Sequence, residues 1–264
     1  MHLDTPRVMG ILNVTPDSFY DGGKFKDEKS ILVQVKKMIE EGADFIDVGG
    51  YSSRPGAADI SEQEELNRIL PVVALITHHF PKCILSVDTF RSAVATKAVE
   101  AGASIVNDIS GGEQDTAMFE TVARLRVPYI LMHMRGTPRT MTTLTEYSDV
   151  VKECTEYFQK KITQLHALGV TDIIIDPGFG FAKTADQSFE LLANLDYLQI
   201  LGQPILAGVS RKSMIWRTLE LTPGEALNGT TALNAVALMK GVSILRVHDV
   251  KEAVECIKLI KKIP

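Results

Sequence analysis

Eight short apolar runs recur along the chain, and nearly every one ends in a residue able to do chemistry. Residues 8–12 lead to Asn13, 45–46 to Asp47, 84–87 to Asp88, and 105–106 to Asn107 and Asp108. The run 129–132 then meets His133, 173–175 meets Asp176, 205–209 meets Ser210, Arg211 and Lys212, and 244–245 meets Arg246, Val247 and His248. A parallel strand buried on both faces reads as a continuous apolar run, and in a closed barrel the carboxyl ends of all such strands converge on one mouth. Residues scattered from 13 to 248 can therefore share a site.

Stretches with helical periodicity separate the runs, as in Ile31, Val35, Met38 and Ile39, or Leu191, Leu192, Leu195 and Leu198. Gly42, Gly102, Gly169 and Gly241 stand just before the next run, where a glycine closes a helix in the left-handed conformation. The connections after runs one, two and five are long and rich in Gly, Pro, Ser and Thr. The chain is therefore predicted to be α/β, a single (β/α)8 TIM barrel over 1–264 with long βα loops 1, 2 and 5. Its 264 residues are about the length typical of one such barrel. An open doubly wound sheet fits less well, because no GxGxxG follows the first run.

A net charge of −5 argues against nucleic acid as a partner, since phosphate backbones are bound by clustered Lys and Arg. No apolar stretch is long enough to span a membrane, and the first residues lack the pattern of a signal peptide. Cys83, Cys154 and Cys256 are too dispersed for a disulfide framework or a zinc site. A cytoplasmic setting is expected.

Side chains two apart on a strand share a face, which puts Arg246 beside His248 and Ser86 beside Asp88. Arg246 and His248 at a barrel mouth make a candidate anion subsite; the competing reading is that Arg246 neutralises a buried carboxylate. Lys212 follows run seven, where barrels often bind phosphate, and serves either phosphate or a carbonyl oxygen. Asp47, Asp88, Asp108 and Asp176 are costly to bury unless partnered. Asp176 opens an Asp-Pro-Gly-Phe-Gly turn, expected to be a flexible aromatic loop. With Asn107 and Lys212, it can read the donor and acceptor edge of a flat heterocycle. The first loop, 13–23, combines an amide, two carboxylates, two aromatics and a double glycine. It reads either as a plain turn or as a lid carrying oxygen ligands for Mg²⁺.

At this level of detail the chain closely resembles the dihydropteroate synthase family. The matching segments are Met-Gly-Ile-Leu-Asn-Val-Thr-Pro-Asp-Ser-Phe at 9–19, Asp-Val-Gly-Gly at 47–50, Ser-Arg-Pro-Gly at 53–56 and Ser-Val-Asp-Thr at 86–89. They continue with Asn-Asp-Ile at 107–109, Leu-Met-His-Met at 131–134, Asp-Pro-Gly-Phe-Gly-Phe at 176–181, Ser-Arg-Lys-Ser at 210–213 and Arg-Val-His-Asp at 246–249. The resemblance implies a barrel that joins 4-aminobenzoate to 6-hydroxymethyl-7,8-dihydropterin diphosphate, with Mg²⁺ as cofactor, sensitivity to sulfonamides and a homodimeric state.

Carried over by position, Asp88, Asn107, Met132, Asp176, Phe181 and Lys212 would hold the pterin, so Lys212 serves the heterocycle rather than the phosphates. Asn13, Arg246 and His248 would hold diphosphate, and Asn13, Asp17 and Asp21 the metal. Phe19, Ser53, Arg54, Pro55 and Ser210 would surround 4-aminobenzoate. Asp88, Asp176, Lys212 and Asp21 are the expected catalytic groups, while Asp47 and Asp108 fall to supporting roles. Two departures stand out: Tyr51 occupies a position where the family often has glutamate, and Tyr20 one where serine is frequent. Two other readings share this barrel: a pterin-dependent methyltransferase acting on a corrinoid, which needs no diphosphate subsite, and a pterin-binding relative without turnover.

Overall fold

The apolar runs form eight parallel strands in a computed structural model of the chain, which describes residues 3–14, 28–53 and 59–263. They are β1 (Arg7–Asn13), β2 (Phe45–Gly49), β3 (Ile84–Asp88), β4 (Ile105–Asp108), β5 (Tyr129–Met132), β6 (Ile173–Asp176), β7 (Leu206–Ala207) and β8 (Ile244–Val247). The strand order is β6-β5-β4-β3-β2-β1-β8-β7, and a bridge between Ile175 and Ile205 joins the two ends. The result is a (β/α)8 barrel. Its helices are α1 (Glu28–Glu40), α2 (Glu62–His79), α3 (Ser92–Glu100), α4 (Met118–Leu125), α5 (Val150–Ala167), α6 (Ala185–Ala193), α7 (Ser213–Trp216), α8 (Leu227–Met239) and α9 (Val250–Ile260). None of the helices among the described residues is long and apolar enough to cross a membrane.

Alternation along the strands divides the barrel interior into tiers. Met9, Phe45, Ile105, Ile130, Ile174, Leu206 and Ile244 form one buried apolar cluster that floors the barrel. Two residues further along the same strands come Asp47, Asn107, Met132, Asp176, Gly208 and Arg246. The floor is dry and the tier above it is polar. Residues of opposite parity, such as Val8, Ile46, Leu85, Val106 and Ile175, face outward into the main core between strands and helices.

The predicted glycine caps are present: φ is +100° at Gly42, +118° at Gly102, +81° at Gly169 and +84° at Gly241. The long connections after β1, β2 and β5 span 14–27, 50–61 and 133–149. Three expectations are corrected. The run 205–209 forms a strand only at Leu206 and Ala207, after the Ile205 bridge, because its later residues already turn toward α7. The periodicity across Leu191–Leu198 does not make one helix: α6 ends at Ala193 and the chain tightens into a 3-10 segment, Leu195–Leu201. Asp47 lies inside β2 rather than at its end.

The floor tier supports the site above it. Met9 is fully buried there, so Met9→Ala should destabilise the fold by about 2–5 kcal/mol through lost burial and the cavity left behind. Urea unfolding followed by circular dichroism checks this, and a loss below about 1 kcal/mol would contradict a closely packed floor.

Candidate active site

Three strands distant in sequence are tied together by one guanidinium. Arg246 on β8 donates from Nε to Oδ2 of Asp47 on β2, and from Nη2 to Oδ2 of Asp88 on β3, each at 2.7 Å. Asn107 on β4 donates from Nδ2 to the same Asp47 oxygen at 2.9 Å. Asp47 is fully buried, whereas the Arg246 and Asp88 side chains each keep 19% exposure toward the mouth. Of the two readings the sequence left open for Arg246, the geometry contains the neutralising one; Nη1 is the nitrogen outside these bonds. Burial works against the guanidinium's charge, but Asp47 and then Asp88 outweigh it and hold the group above its ordinary pKa. Burial raises the Asp88 carboxyl, against the pull of Arg246.

Asp176 and Lys212 form the second charged group of the tier. Asp176, at the end of β6, accepts the Gly178 N–H at 2.8 Å. Burial raises its carboxyl, against Lys212 first and then Gly178 and Arg246. Lys212, just before α7, donates from Nζ to the Phe179 carbonyl at 2.5 Å and sits 4.6 Å from the centre of the Phe181 ring. Burial lowers this ammonium to about 8, with Asp176 opposing. Between these groups Gly208 contributes no side chain. A Cβ placed there would stand 4.0 Å from both Arg246 Cβ and Asp176 Oδ2, so the polar tier has an open slot.

The loop after β6 differs from expectation. Phe179 is fully buried in the core, and Gly178 holds φ +66° with an added Cβ only 2.2 Å from the His133 carbonyl oxygen. No L side chain fits such an approach, so the loop is packed rather than flexible. Arg211, beside Lys212, faces elsewhere: Nε and Nη2 hold both Asp249 oxygens, at 2.9 and 2.7 Å.

Ser210 and His248 meet across the β7 and β8 ends, with Oγ to Nδ1 at 3.1 Å and the His248 N–H donating to the same Oγ at 3.1 Å. Ser210 thus orients the exposed imidazole. Asn13, at the end of β1, and Ser53, in the loop after β2, are half-buried. Asp17, Phe19, Asp21, Arg54 and Pro55 lie outside the described residues. Asp108 turns away from the mouth and accepts bonds from Ser110 N, Gly112 N and Tyr129 OH at 2.7 to 2.8 Å, which folds the β4 loop.

Above the polar tier, Phe90, Ile109, Met132 and Met134 form an apolar cluster packed by Tyr51 and Phe181. Of these, Met132 and Phe181 were assigned to the pterin from sequence and Tyr51 was noted as a departure; Phe90, Ile109 and Met134 each lie two residues beyond Asp88, Asn107 and Met132, a spacing that could have found them. Tyr51 meets Phe90 edge-on at 5.1 Å, and Arg91 over Phe90 pairs with buried Glu65 and donates to the Ile60 carbonyl at 2.7 Å. These contacts hold both sides of the second loop at its base. A cavity of about 440 Å³ lies apart from the mouth, beside α5, among Glu113, Arg135, Glu153 and Lys160.

The chain matches a family profile described as pterin binding enzyme over residues 9–248. Dihydropteroate synthase of Escherichia coli (strain K12) is 43% identical over 263 residues, covering 99% of this chain and 93% of that protein. The structure of Yersinia pestis dihydropteroate synthase with a sulfonamide drug complex is similar with a TM-score of 0.92 and 42% identity, covering 99% of this chain and 95% of the other. That of the Xanthomonas albilineans enzyme in complex with 7,8-dihydropteroate gives 0.89 at 37% identity, covering 100% and 95%.

Removing the guanidinium should expose the cost of the carboxylates it neutralises. Arg246→Met is expected to destabilise the protein by about 3–5 kcal/mol near neutral pH. The deficit shrinks as pH falls, because carboxyls left without a cation keep their protons to higher pH than in the unfolded chain, and only their ionisation opposes folding. Urea titrations at two pH values check this; a deficit that does not change with pH would count against the network.

Proposed function

This chain belongs to the dihydropteroate synthase family, and on that premise we propose how its barrel mouth condenses 6-hydroxymethyl-7,8-dihydropterin diphosphate with 4-aminobenzoate. The products are 7,8-dihydropteroate and diphosphate. The observation that carries the division of labour is the polar tier around Gly208, where Asp176, Lys212 and the Arg246 network border a slot over an apolar floor. A flat heterocycle with donors on one edge suits that slot: Asn107, Asp88 and Asp176 offer polar contacts, Lys212 faces an acceptor, and Met132 and Phe181 supply walls.

Arg246 and His248 lie on the β8 side, where diphosphate would meet them. Arg246 then spans the two subsites, one arm on Asp88 beneath the pterin and Nη1 toward the leaving group. In the reaction the bond from the pterin CH₂ to diphosphate oxygen breaks, the amine nitrogen of 4-aminobenzoate bonds that carbon, and the amine loses a proton. Asp88 and Asp176 suit positive charge growing on the pterin, while Arg246 and His248 suit negative charge growing on diphosphate. One carboxylate about 4 Å from a full positive charge contributes roughly 4 kcal/mol at an effective dielectric near 20, at most about a thousandfold in rate. Neither aspartate carries the reaction alone.

For Mg²⁺, the described member of the expected ligand set fits by its chemistry. Asn13 ends β1 half-buried with an amide oxygen to offer, and Mg²⁺ takes few protein oxygens when phosphates supply others. Asp17 and Asp21 complete the proposed set, with Asp21 also assigned to catalysis. When bound, the ion neutralises charge on the departing diphosphate. Phe19, Ser53, Arg54, Pro55 and Ser210 are assigned to 4-aminobenzoate and to the sulfonamides that resemble it. Ser53 flanks the mouth beside Tyr51, and Ser210 contributes through His248.

A homodimer is supported by one apolar patch. Gln199 donates to the Lys240 carbonyl at 3.0 Å, which brings exposed Tyr197 and Ile200 beside exposed Val236 and Met239 of α8. Exposed apolar side chains on two joined segments suit an interface. Three free cysteines fit a cytoplasmic site of action.

Three measurements test these assignments. Diphosphate release should require both 4-aminobenzoate and Mg²⁺, and Asp176→Asn should lower kcat/KM by up to about a thousandfold. Release without 4-aminobenzoate, or an unimpaired Asp176→Asn, would refute the assignment. Met239→Glu should shift sedimentation equilibrium from dimer to monomer; a dimer in the variant would place the interface elsewhere, and a wild-type monomer would refute the homodimer.

A further inference from the structure

Lys183 is a buried lysine outside the set discussed so far. It closes the loop 177–184 after β6, one residue before Thr184, which caps α6 in a reciprocal box with Gln187. Only 6% of the residue is exposed, and among the described residues no carboxylate lies within ion-pair distance. Its Nζ instead contacts His133 Nδ1 at 2.8 Å and the carbonyl oxygens of Phe181, Gly178 and His133 at 3.1, 3.2 and 3.4 Å. Burial, with Lys183 beside it, holds His133 well below the ordinary histidine pKa, so Nδ1 of the neutral ring accepts.

Three carbonyl oxygens pointing at one another repel unless a cation sits among them. Here they converge because Gly178 lies against the His133 carbonyl, and the preceding residue, Ala182, adopts φ +48°. An ammonium is a compact donor that fills this point. The loop it gathers carries the Gly178 N–H bonded to Asp176, the Phe179 carbonyl bonded to Lys212, and the Phe181 ring. We propose that Lys183 is a positioning residue for the pterin subsite, setting the β6 loop so that Asp176 and Lys212 are held in register for the heterocycle. The inference rests on the assignment of those two residues to pterin.

The test compares Lys183→Met, Lys183→Gln and Lys183→Arg with wild type, using titration calorimetry with 6-hydroxymethylpterin across pH. Lys212, the Gly178 N–H, Arg246 and Lys183 all favour ionised Asp176; Cys154, Arg135 and His133 are the groups facing Lys183 itself. With the cation removed, Asp176 keeps its proton to higher pH. Lys183→Met is therefore expected to weaken binding by about tenfold or more and to move the midpoint of acid loss upward. Lys183→Arg keeps the charge and the wild-type midpoint. Should the Met variant fail to fold, Lys183→Gln, which donates without charge, gives the same comparison.

Affinity within about twofold of wild type for the uncharged variants, or an equal weakening in all variants with an unmoved midpoint, overturns the proposal. Asp176→Asn separates this from the assignment beneath it. If that variant binds pterin as wild type does, the pterin assignment itself fails and the inference with it. If it is impaired while the Lys183 variants behave as wild type, only the positioning role fails.

Discussion

The charge balance around Arg246 is the constraint on which the barrel mouth depends. It joins residues 199 and 158 positions apart in the chain, and it allows two carboxylates to sit over a dry floor. Without the cation, Asp47 would be an ionised group in an apolar interior, a cost of several kcal/mol. With it, Asp88 is held by Arg246 directly and Asn107 is linked to Arg246 through the Asp47 oxygen that both bond. The arrangement ties β2, β3, β4 and β8 into one polar plate. The price is that only part of the guanidinium's donor set, Nη1, stays outside these bonds.

Electrostatics on the opposite side are handled differently. Asp176 is balanced by Lys212 and by backbone N–H, and Lys212 and Lys183 both lean on carbonyl oxygens of the same loop. Burial lowers both lysines to about 8, whereas Asp47 and Asp88 hold the Arg246 guanidinium above its ordinary pKa. The loop is consequently a structural part of the charge network rather than a cover over it.

Much of this was legible in the sequence because the barrel imposes simple periodicities. Buried strands announced themselves as apolar runs, glycines marked helix ends, and parity placed Arg246 beside His248 and Ser86 beside Asp88. Tertiary packing hid the rest. Nothing in the sequence said that Phe179 would point into the core, since an Asp-Pro-Gly-Phe-Gly turn looks open when the strand beside it is unknown. Lys183 was unreadable for a similar reason: its partners are backbone carbonyls, and backbone leaves no mark in the residue pattern. The apolar tier of Phe90, Ile109 and Met134 was readable in principle, had the two-residue spacing been extended past the strand ends. The broken helix near Ala193 escaped because leucines at three- and four-residue spacing fit a 3-10 continuation as well as an α-helix.

The slot at Gly208 has a consequence for which residues the chain can tolerate. A methyl group there would meet its neighbours at ordinary van der Waals distance, and the backbone is not in a conformation that demands glycine. The folded protein alone therefore gives no reason to keep position 208 bare. The barrel itself accommodates alanine there, so what the side chain would take up is the free space of the polar tier and not a place in the packing.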